Sequence, residues 1–225
     1  MASSVAAAVA DGFGIATGAY VEERDDWRAA LARAQGEGWC TLELTALRGE
    51  RLGALVALLA ENPGALDGFE RVSIHAPARD FASDPESVVA ALGSLPYDIL
   101  LHPDVYREQG WVRALASRAV FENMDSTKEF GRSADDLSEV FRSFPEAGFC
   151  LDVAHVWTND SSLALGHELL ERHGGRLRQL HVSGIEPDGT HRPTTPEDLA
   201  LYAPLLERCR GVPWLLEAVL AERER

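Results

Sequence analysis

The chain has 225 residues, 46% hydrophobic and 25% charged, a balance that fits one soluble globular domain with a sizeable core. Its net charge is −15 and it has a single lysine, Lys128. That disfavours a broad nucleic-acid surface, which must neutralise phosphates. No apolar stretch reaches the roughly 18 residues of a membrane span. The Ala-rich start carries no basic residue, so residues 1–12 read as a short leader and not as a signal peptide. Cys40, Cys150 and Cys209 are odd in number, far apart and without a CxxC pair, so a reducing, cytoplasmic setting is expected.

In chain order, strand-like apolar runs fall at 14–20, 41–44, 71–75, 98–102, 119–122, 149–153, 177–182 and 214–217. Helical patterns lie between them, at about 23–37, 49–61, 84–93, 106–116, 134–146, 161–173 and 196–210. Thr195-Pro196-Glu197-Asp198 offers an N-cap, a first-turn proline and acids at the positive end of the dipole. Ser133 and Asp136 have capping-box spacing, with Asp in place of Glu. Strands separated by single helices imply right-handed crossovers and a parallel sheet. Eight such units in one domain, 1–225, predict an α/β fold: a compact (β/α)8 TIM barrel. The eighth helix is reduced to about 219–225, which leaves barrel flank uncovered and a homodimer open. The rival, a doubly wound sheet, would carry GxGxxG after its first strand, and that motif is absent.

The strand ends carry the chemistry. In a parallel barrel all strand C-termini share one face, where active sites lie. Glu122, Asp152, His181 and Glu217 end the fifth to eighth strands and point to a common centre. Three carboxylates and an imidazole suit Mn²⁺, Mg²⁺, Co²⁺, Fe²⁺ or Zn²⁺. Without a cation, such buried acids would repel one another. His75 and His102 add imidazoles from the third and fourth strands, and Asp152 and His155 form D-x-x-H. His191 sits in a Gly/Pro/Thr loop able to fold over the site. With these histidines, one to three ions become feasible. Glu43, near the end of the second strand, and Trp157 are candidate substrate contacts; Tyr20 and Trp214 are further aromatics near strand ends. His167 and His173 fall in a helix pattern and are expected at the surface.

His75-Ala76-Pro77, His102-Pro103, Glu122-Asn123, Cys150-Leu151-Asp152-x-x-His155 and the His181 strand resemble the xylose isomerase-like TIM-barrel superfamily. That superfamily includes sugar isomerases and epimerases and the family-2 AP endonucleases (endonuclease IV). Resemblance to the epimerase-like members implies one divalent ion held by Glu122, Asp152, His181 and Glu217. It also implies that Glu122 and Glu217 move protons at a carbon beside a carbonyl, with His155 and Arg192 on the hydroxyls of a small-molecule substrate. Resemblance to endonuclease IV implies a trinuclear zinc cluster on His75, His102, Glu122, Asp152, His155, His181, His191 and Glu217. That family has an Asp two residues before the loop histidine, where this chain has Gly189. Glu122-Asn123 also resembles a motif of multinuclear iron oxidative enzymes acting on peptides. A non-catalytic ligand-binding barrel is the remaining alternative.

Overall fold

The computed structural model describes residue 8 and residues 12–78, 85–107 and 109–219. The expected leader falls almost entirely, and the reduced eighth helix mostly, outside the described residues. The elements in order are β1 (Phe13–Ala16), α1 (Trp27–Glu37), β2 (Thr41–Thr45), α2 (Gly49–Glu61), β3 (Arg71–His75) and α3 (Pro85–Ser94). Then come β4 (Asp98–Leu101), α4 (Pro103–Tyr106), a 3-10 stretch (Gly110–Arg118), β5 (Ala119–Glu122), α5 (Ala134–Ser143) and β6 (Gly148–Asp152). The rest are α6 (Val153–Asn159), α7 (Ala164–His173), β7 (Leu177–Val182), β8 (Gly184–Ile185), β9 (His191–Arg192), α8 (Pro196–Arg208) and β10 (Trp214–Leu216).

Strands β1 to β7 and β10 pair in parallel and close into a barrel, with β10 between β7 and β1. This is the predicted (β/α)8 architecture. Closure brings β1 close to its neighbours: a Cβ on Gly14 would lie 2.7 Å from Thr41 and 2.9 Å from Leu215, so only glycine fits there.

Strand alternation separates two environments. One set of positions faces the helices and forms the main core: Leu42 and Leu44, Ile74, Ile99 and Leu101, Phe121, Phe149 and Leu151, Leu180 and Val182. The other set faces the barrel axis. It begins with a small apolar cluster of Leu100, Val120 and Cys150 and continues toward the strand C-termini as Glu43, Ser73, His75, Glu122, Asp152, Gln179 and His181. The register ties these together: Glu43 is level with Ser73, Thr45 with His75, Glu122 with Cys150, and Asp152 with His181. The polar interior is therefore a direct consequence of period-2 placement on β2, β3, β5, β6 and β7.

Both expected caps form. Ser133 and Asp136 make a capping box on α5, and Thr195 and Asp198 make one on α8, with Pro196 in its first turn. Three local expectations are corrected. The helix expected at 106–116 is the short α4 followed by the 3-10 stretch, which is broken at Ala116 (φ 49°). Residues 153–159, outside every expected helix, are α6, capped by Asp152, whose carboxylate accepts from the His155 amide at 2.7 Å. His173 is buried, not at the surface. Its Nε2 lies 3.1 Å from the Ala134 carbonyl and 3.3 Å from Ser138 Oγ, and its ring packs on Phe141 and Phe149. Its last-turn position faces α5, so helix periodicity alone misplaced it.

Candidate metal centre

The C-terminal mouth of the barrel gathers all eight expected ligands. His75 and Glu122 end β3 and β5, His102 follows β4, Asp152 ends β6, and His155 is in the first turn of α6. His181 lies on β7, His191 on β9, and Glu217 follows β10. The short hairpin β8–β9 folds His191 back over the site, pairing Ile185 with His191. Ser183 Oγ lies 2.7 Å from His191 Nδ1 and holds the ring there.

Four overlapping groups offer ligand atoms within 4.8 Å of one another: His75/His102/Glu122, Glu122/Cys150/His181, Asp152/His155/His191 and Glu122/Asp152/His181/Glu217. Glu122 joins three of them. Its Oε1 lies 3.1 Å from His181 Nδ1 and 3.6 Å from His155 Nδ1, while its Oε2 lies 3.5 Å from His102 Nε2 and 3.8 Å from His75 Nε2. Glu217 Oε1 is 3.1 Å from His181 Nδ1, and its Oε2 is 3.4 Å from His191 Nδ1. Asn123 splices β5 to β6 by accepting from the Asp152 amide at 2.9 Å and donating to the Asp152 carbonyl at 3.0 Å. The Asn123 carbonyl accepts from His155 Nδ1 at 2.9 Å. A backbone-bonded Asn after the strand-5 Glu is thus a structural clamp for two candidate ligands.

The electrostatics are those of crowded acids and imidazoles in a buried site. At Glu122, burial favours the neutral acid, but His181, His102 and His155 outweigh it and hold the carboxyl well below its usual range. Glu217 is lowered in the same way, burial being overcome by His181 and His191. Asp152 moves oppositely: burial, joined by Glu217 and Glu122, raises it well above its usual range despite His155. Against burial, Asp152, Glu122 and Glu217 push His155 up to about 9. Burial lowers His75 and His191. The cluster therefore balances itself with protons on some groups and charges on others.

A divalent cation fits this donor set. Glu122 Oε2, Asp152 Oδ2, Glu217 Oε2 and His102 Nδ1 are buried without a hydrogen-bond partner. Orphaned carboxylate oxygens cost on the order of several kcal/mol per ion unless a cation or donor meets them.

Above the cluster opens a cavity of about 500 Å³. His75, His102, Glu122, His155, His191 and Glu217 reach its wall. So do residues the sequence reading did not single out for the site, among them Arg24, Thr45, Asp125, Thr127, Lys128 and Thr190. Their only signal was position, Thr45 at the end of β2 and the others in the loops after β1, β5 and β8. Three expected substrate contacts are placed elsewhere. Glu43 is fully buried beneath the cluster. Trp157 packs against the main core, and Arg192 is held by Asp198 at 2.7 and 2.9 Å; neither lines the cavity.

Gly189 also has a structural reason. Its φ is +83°, and a Cβ there would sit 3.2 Å from Asp125 Oδ1. Asp125 is itself fixed by the Thr127 amide and hydroxyl. A carboxylate from the β5 loop thus occupies the space beside position 189.

No family model and no curated protein matches the chain. Among solved structures, a D-tagatose 3-epimerase-like protein superposes with a TM-score of 0.58 at 12% identity, covering 94% of this chain and 92% of that one. The probable 3-DHS dehydratase AsbF involved in petrobactin synthesis, from Bacillus anthracis, superposes with a TM-score of 0.59 at 11% identity, covering 93% and 92%. The closed parallel barrel and these near-full-length superpositions agree: the chain shares the (β/α)8 barrel fold of both structures.

Proposed function

We propose that the chain is a divalent-metal-dependent enzyme of the isomerase or epimerase type. It moves a proton at a carbon beside a carbonyl in a small polyhydroxylated substrate. The observation that supports this most is the convergence of Glu122, Asp152, His181 and Glu217, from four adjacent strands, within 4.8 Å. These four would hold the ion: Mn, Zn, Fe, Co or Mg. When bound, it supplies a Lewis acid that polarises substrate oxygens. Glu122 and Glu217 carry the proton traffic: one carboxylate accepts the proton from carbon, and the other carboxyl returns one, so a C–H bond breaks and a C–H bond forms with no change in composition. His155 and the hydroxyls of Thr45, Thr127 and Thr190 along the cavity suit a substrate rich in hydroxyls.

A second reading, phosphodiester hydrolysis at a multi-zinc centre, is favoured by His75 and His102. Both face Glu122 Oε2, outside the four-residue set. Metal content of protein purified without chelator separates the two. One ion per chain supports proton transfer, and two or three zinc ions support hydrolysis. Bound iron with an optical band supports the oxidative class instead. Protein without metal, in which E122Q leaves activity and thermal stability unchanged, overturns the metalloenzyme reading.

A further inference from the structure

Glu43 has no place in the ligand set, yet it is among the most buried carboxylates in the chain, with no side-chain exposure. Its Oε2 accepts from Gln179 Nε2 at 2.7 Å and from Ser73 Oγ at 3.3 Å, and it lies 3.0 Å from His181 Nε2, which the Gln179 amide nitrogen also approaches at 3.0 Å. The other ring nitrogen of His181, Nδ1, faces Glu122 Oε1 and Glu217 Oε1, each at 3.1 Å. His181 is therefore held edge to edge between the ligand carboxylates above and Glu43 below. A neutral imidazole has one proton for two nitrogens. If Nδ1 is to offer its lone pair upward, that proton must sit on Nε2, and Nε2 needs an acceptor. Of the two groups 3.0 Å from Nε2, the Gln179 amide nitrogen is a donor only, so Glu43 is the acceptor in place. Strand register explains why: Glu43 sits two residues before Thr45, and so one layer below the level of His75.

We propose that Glu43, pinned by Gln179 and Ser73, is a positioning residue. It fixes His181 with Nδ1 bare toward the metal centre and places a negative charge beneath it. A carboxylate behind a ligating imidazole orients the ring and raises its basicity, and loss of such a partner typically costs about 10–100-fold in metal affinity. This rests on the metalloenzyme reading. Glu43 also explains its own burial: an acid there is a liability in the metal-free barrel and an asset beneath a cation.

The test uses the full chain with Zn²⁺ and Co²⁺ as probes. E43Q preserves volume and an acceptor but removes the charge, and should lower Zn²⁺ affinity about 10-fold by chelator competition; E43A should lower it about 100-fold. The visible band of bound Co²⁺ should shift in E43Q. The metal-free melting temperature of E43Q should stay level or rise, the opposite of what a merely structural role gives. Equal metal affinity and an unchanged Co²⁺ band in E43Q, beside a wild-type chain that binds metal, overturn the role of Glu43 alone. A wild-type chain that binds neither ion overturns this role and the metalloenzyme reading together.

Discussion

His75 and His102 point Nε2 at Nε2 across 3.1 Å. His75 Nδ1 lies 2.9 Å from the Ala76 carbonyl, an acceptor only, so Nδ1 carries the His75 proton and its Nε2 is bare. His102 must then donate from Nε2, and in its neutral tautomer that leaves Nδ1 without a proton. That accounts for two orphaned atoms at once: His102 Nδ1 and Asp104 Oδ1, both buried and unpartnered, lie 3.9 Å apart. A cation between the two rings would take both Nε2 lone pairs and move the His102 proton to Nδ1, facing Asp104. D104N should therefore weaken binding at the His75/His102/Glu122 group by about 10-fold, with little change at the four-residue group. Titration calorimetry in which only the weaker binding event shifts is the expected outcome. An unchanged isotherm counts against the link.

Position 189 lets the cost of restoring a side chain be measured. A Cβ there meets a left-handed backbone and the Asp125 carboxylate. G189A should lose roughly 1–2 kcal/mol, the penalty for a non-glycine residue in that region. G189D should lose more, since it adds a second carboxylate beside Asp125. Urea unfolding of both variants gives the comparison; a G189D chain as stable as wild type would show that the loop moves to accept it.

Burial, with Glu217 and Glu122, raises Asp152 well above its usual range and favours its protonated form in the metal-free cluster. For an acid raised on folding, stability falls as pH rises from the unfolded value through the folded one. Asn copies the protonated acid in shape and still caps α6 through its side-chain oxygen. Metal-free D152N should thus melt above wild type at pH 8, by about 2–4 °C for each kcal/mol gained, and the gap should close toward pH 4. The same variant should lose most of the melting-temperature gain that metal gives wild type. Thermal scans with and without Zn²⁺ at both pH values check both halves.

The barrel and the meeting of the candidate ligands at its mouth were legible because both follow local rules. Period-2 runs place Glu122, Asp152 and His181 at strand ends facing the axis, and parallel pairing brings those ends together. What escaped notice depends on depth or on partners that sequence spacing does not reveal. Glu43 reads as a mouth residue until register puts it level with Ser73. Arg192 reads as a free cation until α8 delivers Asp198 to it. Helix α6 is only seven residues long, too short for periodicity to announce, and its start depends on the Asp152 cap.

His173 offers a pH signature remote from the centre. Burial lowers its pKa, with Arg172 and Arg176 adding to the effect and the Ala134 carbonyl and Glu168 opposing it. The folded chain therefore resists a proton that the unfolded chain accepts at about 6.5. Above that value the ring is neutral in both states and costs nothing. As pH falls below it, the unfolded state gains protons first and stability drops until the folded ring also titrates. Gln at 173 can still donate to the Ala134 carbonyl but cannot charge. The stability difference between wild type and H173Q, from urea midpoints, should be flat from pH 7 to 8 and should move in favour of H173Q from about 6.5 downward. The cluster histidines and acids are present in both proteins, so their contribution cancels in the difference. A constant difference across pH 5–8 would mean that His173 titrates alike in the folded and unfolded chains, and that packing against Phe141 and Phe149 leaves the ring open to protonation.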